Sequence, residues 1–259
     1  MNLSFWEGLL LGLVQGLTEF LPISSSGHLV LAEHLIGYQA QGVFFEVVVH
    51  VATLASVIVA YWGRIVELVR DMFRGGREGW RYAGLLVLAS VPAGLAGVFF
   101  KDFFERTFHS TTGLGWGFLA TAAILWSTRS LAAKAKGTRI TVVQAVLIGV
   151  AQAVAIIPSI SRSGATIAAA LWAGLAAPVA AEFSFILSII VIAGSGLLEA
   201  STLTSGAQAV TPGLAAAFVA ALISGILAIR FLVMLLRSGK FHWFAPYCAL
   251  IGLLCLVAL

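Results

Sequence analysis

The stretch Gln15-Gly16-Leu17-Thr18-Glu19-Phe20-Leu21-Pro22-Ile23-Ser24-Ser25-Ser26-Gly27-His28 lies inside a strongly apolar first segment, where a carboxylate, three hydroxyls and an imidazole are out of place. A charged side chain near the middle of a bilayer costs about 2.5–3.5 kcal/mol on insertion scales, so an ionisable residue there marks a site. Pro22 lacks a backbone donor and disfavours helix in the residue before it, which predicts a break near Leu21–Pro22. Ser24 to Gly27 then form a short turn, and Ser24 or Ser25 caps a second helix beginning near His28. The N–H groups and positive dipole end of that second helix face the turn and attract an anion. Gln15 and Glu19, four apart, share one face of the first half-helix.

A proline-kinked span would account for this stretch alone, but the pattern occurs twice. Gly149, Gln152 and Pro158-Ser159-Ile160-Ser161-Arg162-Ser163-Gly164 repeat it. With Gln15 set on Gln152, Gly12, Ile23, Ser24, Ser26 and Gly27 fall on Gly149, Ile160, Ser161, Ser163 and Gly164. Under the same alignment Ser25 stands opposite Arg162, His28 opposite Ala165 and Glu19 opposite Ile156. The copies divide the labour: one keeps acid, hydroxyl and imidazole, the other a guanidinium.

Of 259 residues, 60% are hydrophobic and 10% charged, with a mean hydropathy of +1.03. A soluble domain carries about 25% charged residues, so the chain reads as an all-α polytopic membrane protein. Met1–Phe20 lacks a basic start and runs directly into the polar motif, so no cleavable signal peptide is expected. Cys248 and Cys255, in the last apolar span, read as fillers and imply neither a disulfide framework nor a metal motif.

Apolar spans of crossing length fall at about 42–62, 83–100, 113–131, 182–203, 212–236 and 243–259. Two more regions, about 3–37 and 141–176, are broken by the Pro/Ser/Gly turns. Each is either two crossings or a hairpin of half-helices; the short second arms favour re-entrant hairpins, whose non-helical backbone must line a protein cavity. The expected architecture is six transmembrane helices plus two re-entrant hairpins, arranged as inverted repeats 1–136 and 137–259 with both turns near the midplane. Glu46 and Glu182, each early in the span after its hairpin, extend the repeat.

Charge orients this arrangement. Arg64, Arg70, Arg74, Arg77, Arg81, Arg129, Lys134, Lys136, Arg139, Arg237 and Lys240 gather on one face; Lys101 and Arg106 lie in loops of the other. The bias makes the first face cytoplasmic, with both termini outside, the first hairpin open to the outside and the second to the cytoplasm. Arg74-Gly-Gly-Arg77 reads as a solvated loop on anionic lipid. No nucleic acid partner is expected, and a homodimer is expected only from how often polytopic proteins pair.

An arginine, glycine-flanked helix starts and serine hydroxyls suit phosphate oxygens, since the guanidinium offers paired donors. Glu19 and Gln15 supply hard oxygens of the kind Mg²⁺ or Ca²⁺ prefers. Ser25, three residues from His28, offers a nucleophile with a base nearby. These parts suit phosphoryl transfer, and their depth in lipid points to a phosphate carried on a lipid. A polyprenyl-phosphate flippase would need the same anion clamp without the nucleophile, and is the alternative reading.

The motifs resemble those of a known family. Gln15 and Glu19 look like an (E/Q)xxxE motif, and Pro22–His28 like a serine-rich PxSSxGH segment. Pro158–Gly164 is similar to a PGxSRSG segment, and Glu182-Phe-Ser-Phe185 to a further block. In matching order over essentially the whole chain, they resemble the undecaprenyl-pyrophosphate phosphatases of the bacitracin-resistance type. The resemblance implies removal of the terminal phosphate from a C55 isoprenoid pyrophosphate at the outer side of the bacterial cytoplasmic (inner) membrane, recycling the carrier lipid for peptidoglycan synthesis. Carried over residue by residue, it puts the metal-associated carboxylate on Glu19, the candidate nucleophile on Ser25, the histidine on His28 and the phosphate-clamping arginine on Arg162. Ser24, Ser26, Gly27, Ser161, Ser163 and Gly164 become the surrounding phosphate-binding groups. Gln15 stands where many members have a second glutamate, which implies less charge at the cation or another ligand. Ser159 stands where the motif has glycine, leaving the backbone path of the second turn open. Spacing leaves open whether Ser25 attacks or positions a water or His28.

Overall fold

The computed structural model describes residues 3–38, 44–99, 111–131, 135–202 and 211–258. Among them the chain is all-helical: α1 (Phe5–Phe20), α2 (Ser25–Ile36), α3 (Phe44–Ala60), α4 (Trp62–Phe73), α5 (Arg77–Phe99), α6 (Thr111–Ser127), α7 (Val142–Val154), α8 (Arg162–Trp172), α9 (Ala177–Thr202), α10 (Pro212–Arg237) and α11 (Phe244–Ala258). A 3₁₀ turn, Phe241–Trp243, leads into α11.

Both broken regions are helix–turn–helix pairs. The first arms start alike: Ser4 and Glu7 form a capping box at α1, and Thr141 and Gln144 form another at α7. Each box satisfies two of the N–H groups that a helix start leaves open. The chain breaks after Phe20 and resumes at Ser25 with Ser24 as N-cap, as Pro22 dictates. The second turn breaks after Val154 and resumes at Arg162 with Ser161 as N-cap.

The first arm of each pair packs on a distant helix. Gly8, Gly12 and Gly16 of α1 lie against the backbone of Gly213, Ala217 and Ala221 of α10, so closely that a Cβ at any of the three would collide. Gly149 of α7 meets Ala89 of α5 in the same way. Small residues at four-residue spacing let helix backbones approach where lipid supplies no hydrophobic drive. Behind these seams lies a core in which Phe20, Phe183, Phe185, Leu171, Leu187 and Phe241 are fully buried.

Three helices, Arg77–Phe99, Ala177–Leu197 and Pro212–Arg237, are long and apolar enough to cross a membrane by themselves. A fourth crossing of that length requires α3 and α4 together, which bend by 73°. The chain is thus a polytopic membrane protein. Residues 62–73, between the expected spans 42–62 and 83–100, form helix α4, tied to α9 by the Arg64–Glu182 pair and to α5 by the Asp71 carboxylate, which accepts from the Gly79 N–H at 2.7 Å. Its apolar residues recur at helical spacing between the charges, and the sequence reading weighed only the charges. Lys101, Arg106 and Lys134, used above to orient the chain, lie outside the described residues.

Candidate active site

The two turns meet. Ser163 of α8 donates its hydroxyl to the Leu21 carbonyl at 3.2 Å, crossing from the second turn to the first. Thr121 of α6 braces the second turn from the other side: its hydroxyl donates to the Ser159 carbonyl at 2.9 Å and accepts from the Ser161 N–H at 3.0 Å. Backbone groups that a broken helix leaves unpaired inside the protein need such partners. Ser159 has φ +62°, a left-handed conformation, so the turn keeps the path a glycine would give it although a serine stands there.

Between the turns lies a cavity of about 170 Å³. Its polar lining comprises Thr18, Glu19, Ser24, Ser25, Ser26, His50, Ser161, Arg162 and Ser195. Glu19, with 5% of its side chain exposed, is the hub. Arg162 donates Nη2–H to Glu19 Oε1, an ion pair between residues 143 apart in the chain. On the other oxygen, Oε2, Glu19 accepts from the Ser25 hydroxyl at 2.5 Å and from the Gln15 amide at 3.0 Å. A buried charge is tolerated only when paired and hydrogen-bonded, and these three donors meet that condition.

Of the residues singled out in the sequence, Glu19, Ser24, Ser25, Ser26, Ser161 and Arg162 come together on the cavity. Gln15 is fully buried one turn behind Glu19. Gly27 and Gly164 are not among the lining residues; their N–H groups are held by the capping hydroxyls of Ser24 and Ser161. Ser163 spends its hydroxyl on Leu21. His28 is also absent from the lining. Its Nδ1 donates to the Ser24 carbonyl at 2.7 Å, its Nε2 accepts from the Tyr247 hydroxyl at 2.7 Å, and its ring packs between Phe118 and Tyr247. Ser25 is therefore hydrogen-bonded to Glu19, with no bond to His28 in this structure. Glu182 is bound by Arg64 Nε at 2.9 Å and does not line the cavity.

The sequence reading missed His50. It lies on α3 four residues after Glu46, and an imidazole in an apolar span was signal enough to find it.

A family model described as bacitracin resistance protein BacA matches residues 8–254. An undecaprenyl-diphosphatase of Carboxydothermus hydrogenoformans is 39% identical over 259 residues, covering 97% of this chain and 96% of the relative. Proteins of the same name from Desulfatibacillum aliphaticivorans and Bacteroides thetaiotaomicron are 37% and 39% identical, covering 97% of this chain in both cases and 98% and 97% of themselves.

Proposed function

This chain belongs to the bacitracin resistance protein BacA family, and from that membership we propose that it hydrolyses undecaprenyl pyrophosphate to undecaprenyl phosphate and inorganic phosphate. It is a multi-pass membrane phosphatase whose place is the bacterial cytoplasmic membrane. The observation that carries the reading is the joining of Ser25, Glu19 and Arg162 on one cavity. A flippase needs an anion clamp, whereas a hydroxyl aimed at a buried carboxylate is what a phosphoryl-transfer site adds.

The reading assigns each residue a task. Arg162 makes one side-chain hydrogen bond among the described residues, to Glu19, and its other N–H groups are left for phosphate oxygens. Ser161, Ser24 and Ser26 offer further hydroxyls around them. Ser25 Oγ attacks the terminal phosphorus and passes its proton to Glu19 Oε2. The anhydride P–O bond breaks, and the departing polyprenyl phosphate takes that proton. Water then cleaves the phosphoserine and releases inorganic phosphate. Such transfers depend on positioning and charge neutralisation more than on elaborate covalent chemistry.

A divalent cation, Mg²⁺ or Ca²⁺, belongs to the same proposal. Among the described residues no group of three His, Cys, Asp or Glu forms a cage. Mg²⁺ characteristically sits between one or two carboxylates and substrate phosphates instead. Gln15 Oε1 is buried without a hydrogen-bond partner, which supports Glu19 and Gln15 as the protein oxygens for it. Bound there, the cation would neutralise charge on the diphosphate.

The proposal extends to topology: six transmembrane helices and two re-entrant hairpins in inverted repeats 1–136 and 137–259, basic loops in the cytoplasm, both termini outside. The duplicated capping boxes support it, as does the exchange in which α1 packs on α10 and α7 on α5. Purified protein in detergent, given a polyprenyl pyrophosphate, is expected to yield one inorganic phosphate and one polyprenyl phosphate per substrate. Free alcohol or intact substrate would overturn the reading. A reporter fused after Leu259 that works only in the cytoplasm would overturn the topology.

A further inference from the structure

One histidine of the cavity has no task in the steps above. His50 is half-buried on α3 and lines the same cavity as Ser25, Glu19 and Arg162. Its Nδ1 lies 2.7 Å from the Glu46 carbonyl oxygen. A carbonyl only accepts, so Nδ1 carries the hydrogen, and Nε2 is the nitrogen through which the ring can take up or give a proton on the cavity. Nε2 makes no hydrogen bond among the described residues, and the ring lies within electrostatic reach of Glu19. His28 is the reverse case, with both nitrogens occupied and no place in the lining.

The charged groups facing His50 are Glu19 from α1 and Arg162 from α8, with Glu46 one turn away on its own helix. From α9 come Val191, Ile192 and Ser195, and α10 carries no titratable residue between Pro212 and Ile229. Glu19 stays tied to Arg162 and Gln15, and His50 Nε2, which has no hydrogen bond among the described residues, gives a water entering after the first transfer an open nitrogen acceptor on the same cavity.

We propose that His50 is the base for the second half of the reaction, the hydrolysis of the phosphorylated serine. The inference rests on the serine pathway proposed above. Water attacks phosphorus and gives one proton to His50 Nε2. The P–Oγ bond breaks, and Ser25 Oγ takes that proton back, leaving inorganic phosphate and a neutral imidazole.

The test uses the full purified chain and polyprenyl pyrophosphate labelled with ³²P in its terminal phosphate, stopped with acid. His50→Gln is expected to lose about 10²–10⁴-fold in kcat, the usual contribution of a positioned base, with KM within threefold. It should release polyprenyl phosphate in a burst of one per site while ³²P stays on the protein. Combining it with Ser25→Ala should abolish the label, and His28→Gln should trap none. His50→Asn repeats the measurement if the glutamine variant unfolds. The inference is overturned if His50→Gln turns over within threefold of wild type, or if it slows without burst or label. The stereochemistry of transfer in wild type, read with a chiral terminal thiophosphate, separates the two failures. Retention keeps the serine pathway whatever His50 does; inversion removes both.

Discussion

Replacing Arg162 by lysine keeps the positive charge and removes the planar fork, which makes it the sharpest probe of how the cavity holds phosphate. In the structure one guanidinium N–H is committed to Glu19 while the rest of the group borders the cavity. Arginine can hold Glu19 and a phosphate oxygen at once through separate nitrogens. Lysine carries its three N–H donors on one compact nitrogen without the planar fork, so it cannot hold both with the paired geometry the guanidinium offers. A lost charge-assisted hydrogen bond is worth about 1.5–3 kcal/mol, which converts to roughly 10- to 150-fold in kcat/KM. Arg162→Ala goes further. It leaves a carboxylate with 5% side-chain exposure facing only Ser25 and Gln15, and breaking one half of a buried pair costs about 3–5 kcal/mol of stability. The assay is phosphate release at varied lipid substrate, with thermal unfolding in the same detergent to separate chemistry from folding. Near-wild-type kcat/KM in Arg162→Lys would refute the clamp.

Five further outcomes are expected. Ser25→Ala should lower kcat by about 10³ or more, as removal of a nucleophile does. Ser24→Ala should lose about 0.5–2 kcal/mol of stability as a missing cap and turn over within a few-fold of wild type, and Ser26→Ala should also stay within a few-fold; alanine scanning with melting curves checks all three. Exhaustive chelation should abolish phosphate release, and added Mg²⁺ or Ca²⁺ should restore it; activity that survives would leave Glu19 acting as a proton acceptor alone. Ser159→Gly should stabilise by about 1 kcal/mol, since it removes a left-handed serine whose buried hydroxyl has no partner; a lower melting temperature would contradict that.

The first helix break was legible because proline acts locally: Pro22 cannot continue a helix, and α1 ends at Phe20. The meeting of Glu19 with Arg162 was foreshadowed by the repeat, which placed the carboxylate in one copy and the guanidinium in the other. The partner of Ser25 was not legible. At a spacing of three, Ser25 and His28 share a helix face, but two contacts from outside that helix decide otherwise. Glu19 draws the hydroxyl back across the turn, and Tyr247, 219 residues away, draws the imidazole off it. No local rule contains Tyr247. The N–H groups of Gly27 and Gly164 read as phosphate donors because a helix start exposes them; the capping serines take them first. α4 was missed because a run of arginines hides an apolar face that only helical spacing reveals.

The claim on which the rest depends is that a carboxylate from one turn, anchored by an arginine from the other, drives hydrolysis of the lipid diphosphate. Phosphate release by purified wild type and Glu19→Gln, measured side by side on polyprenyl pyrophosphate, tests it most directly. Glutamine keeps the shape while removing the proton acceptor and the charge that holds Arg162. The account predicts steady turnover in wild type and a fall of about 10³ or more in the folded variant. Turnover of Glu19→Gln within a few-fold of wild type would contradict it.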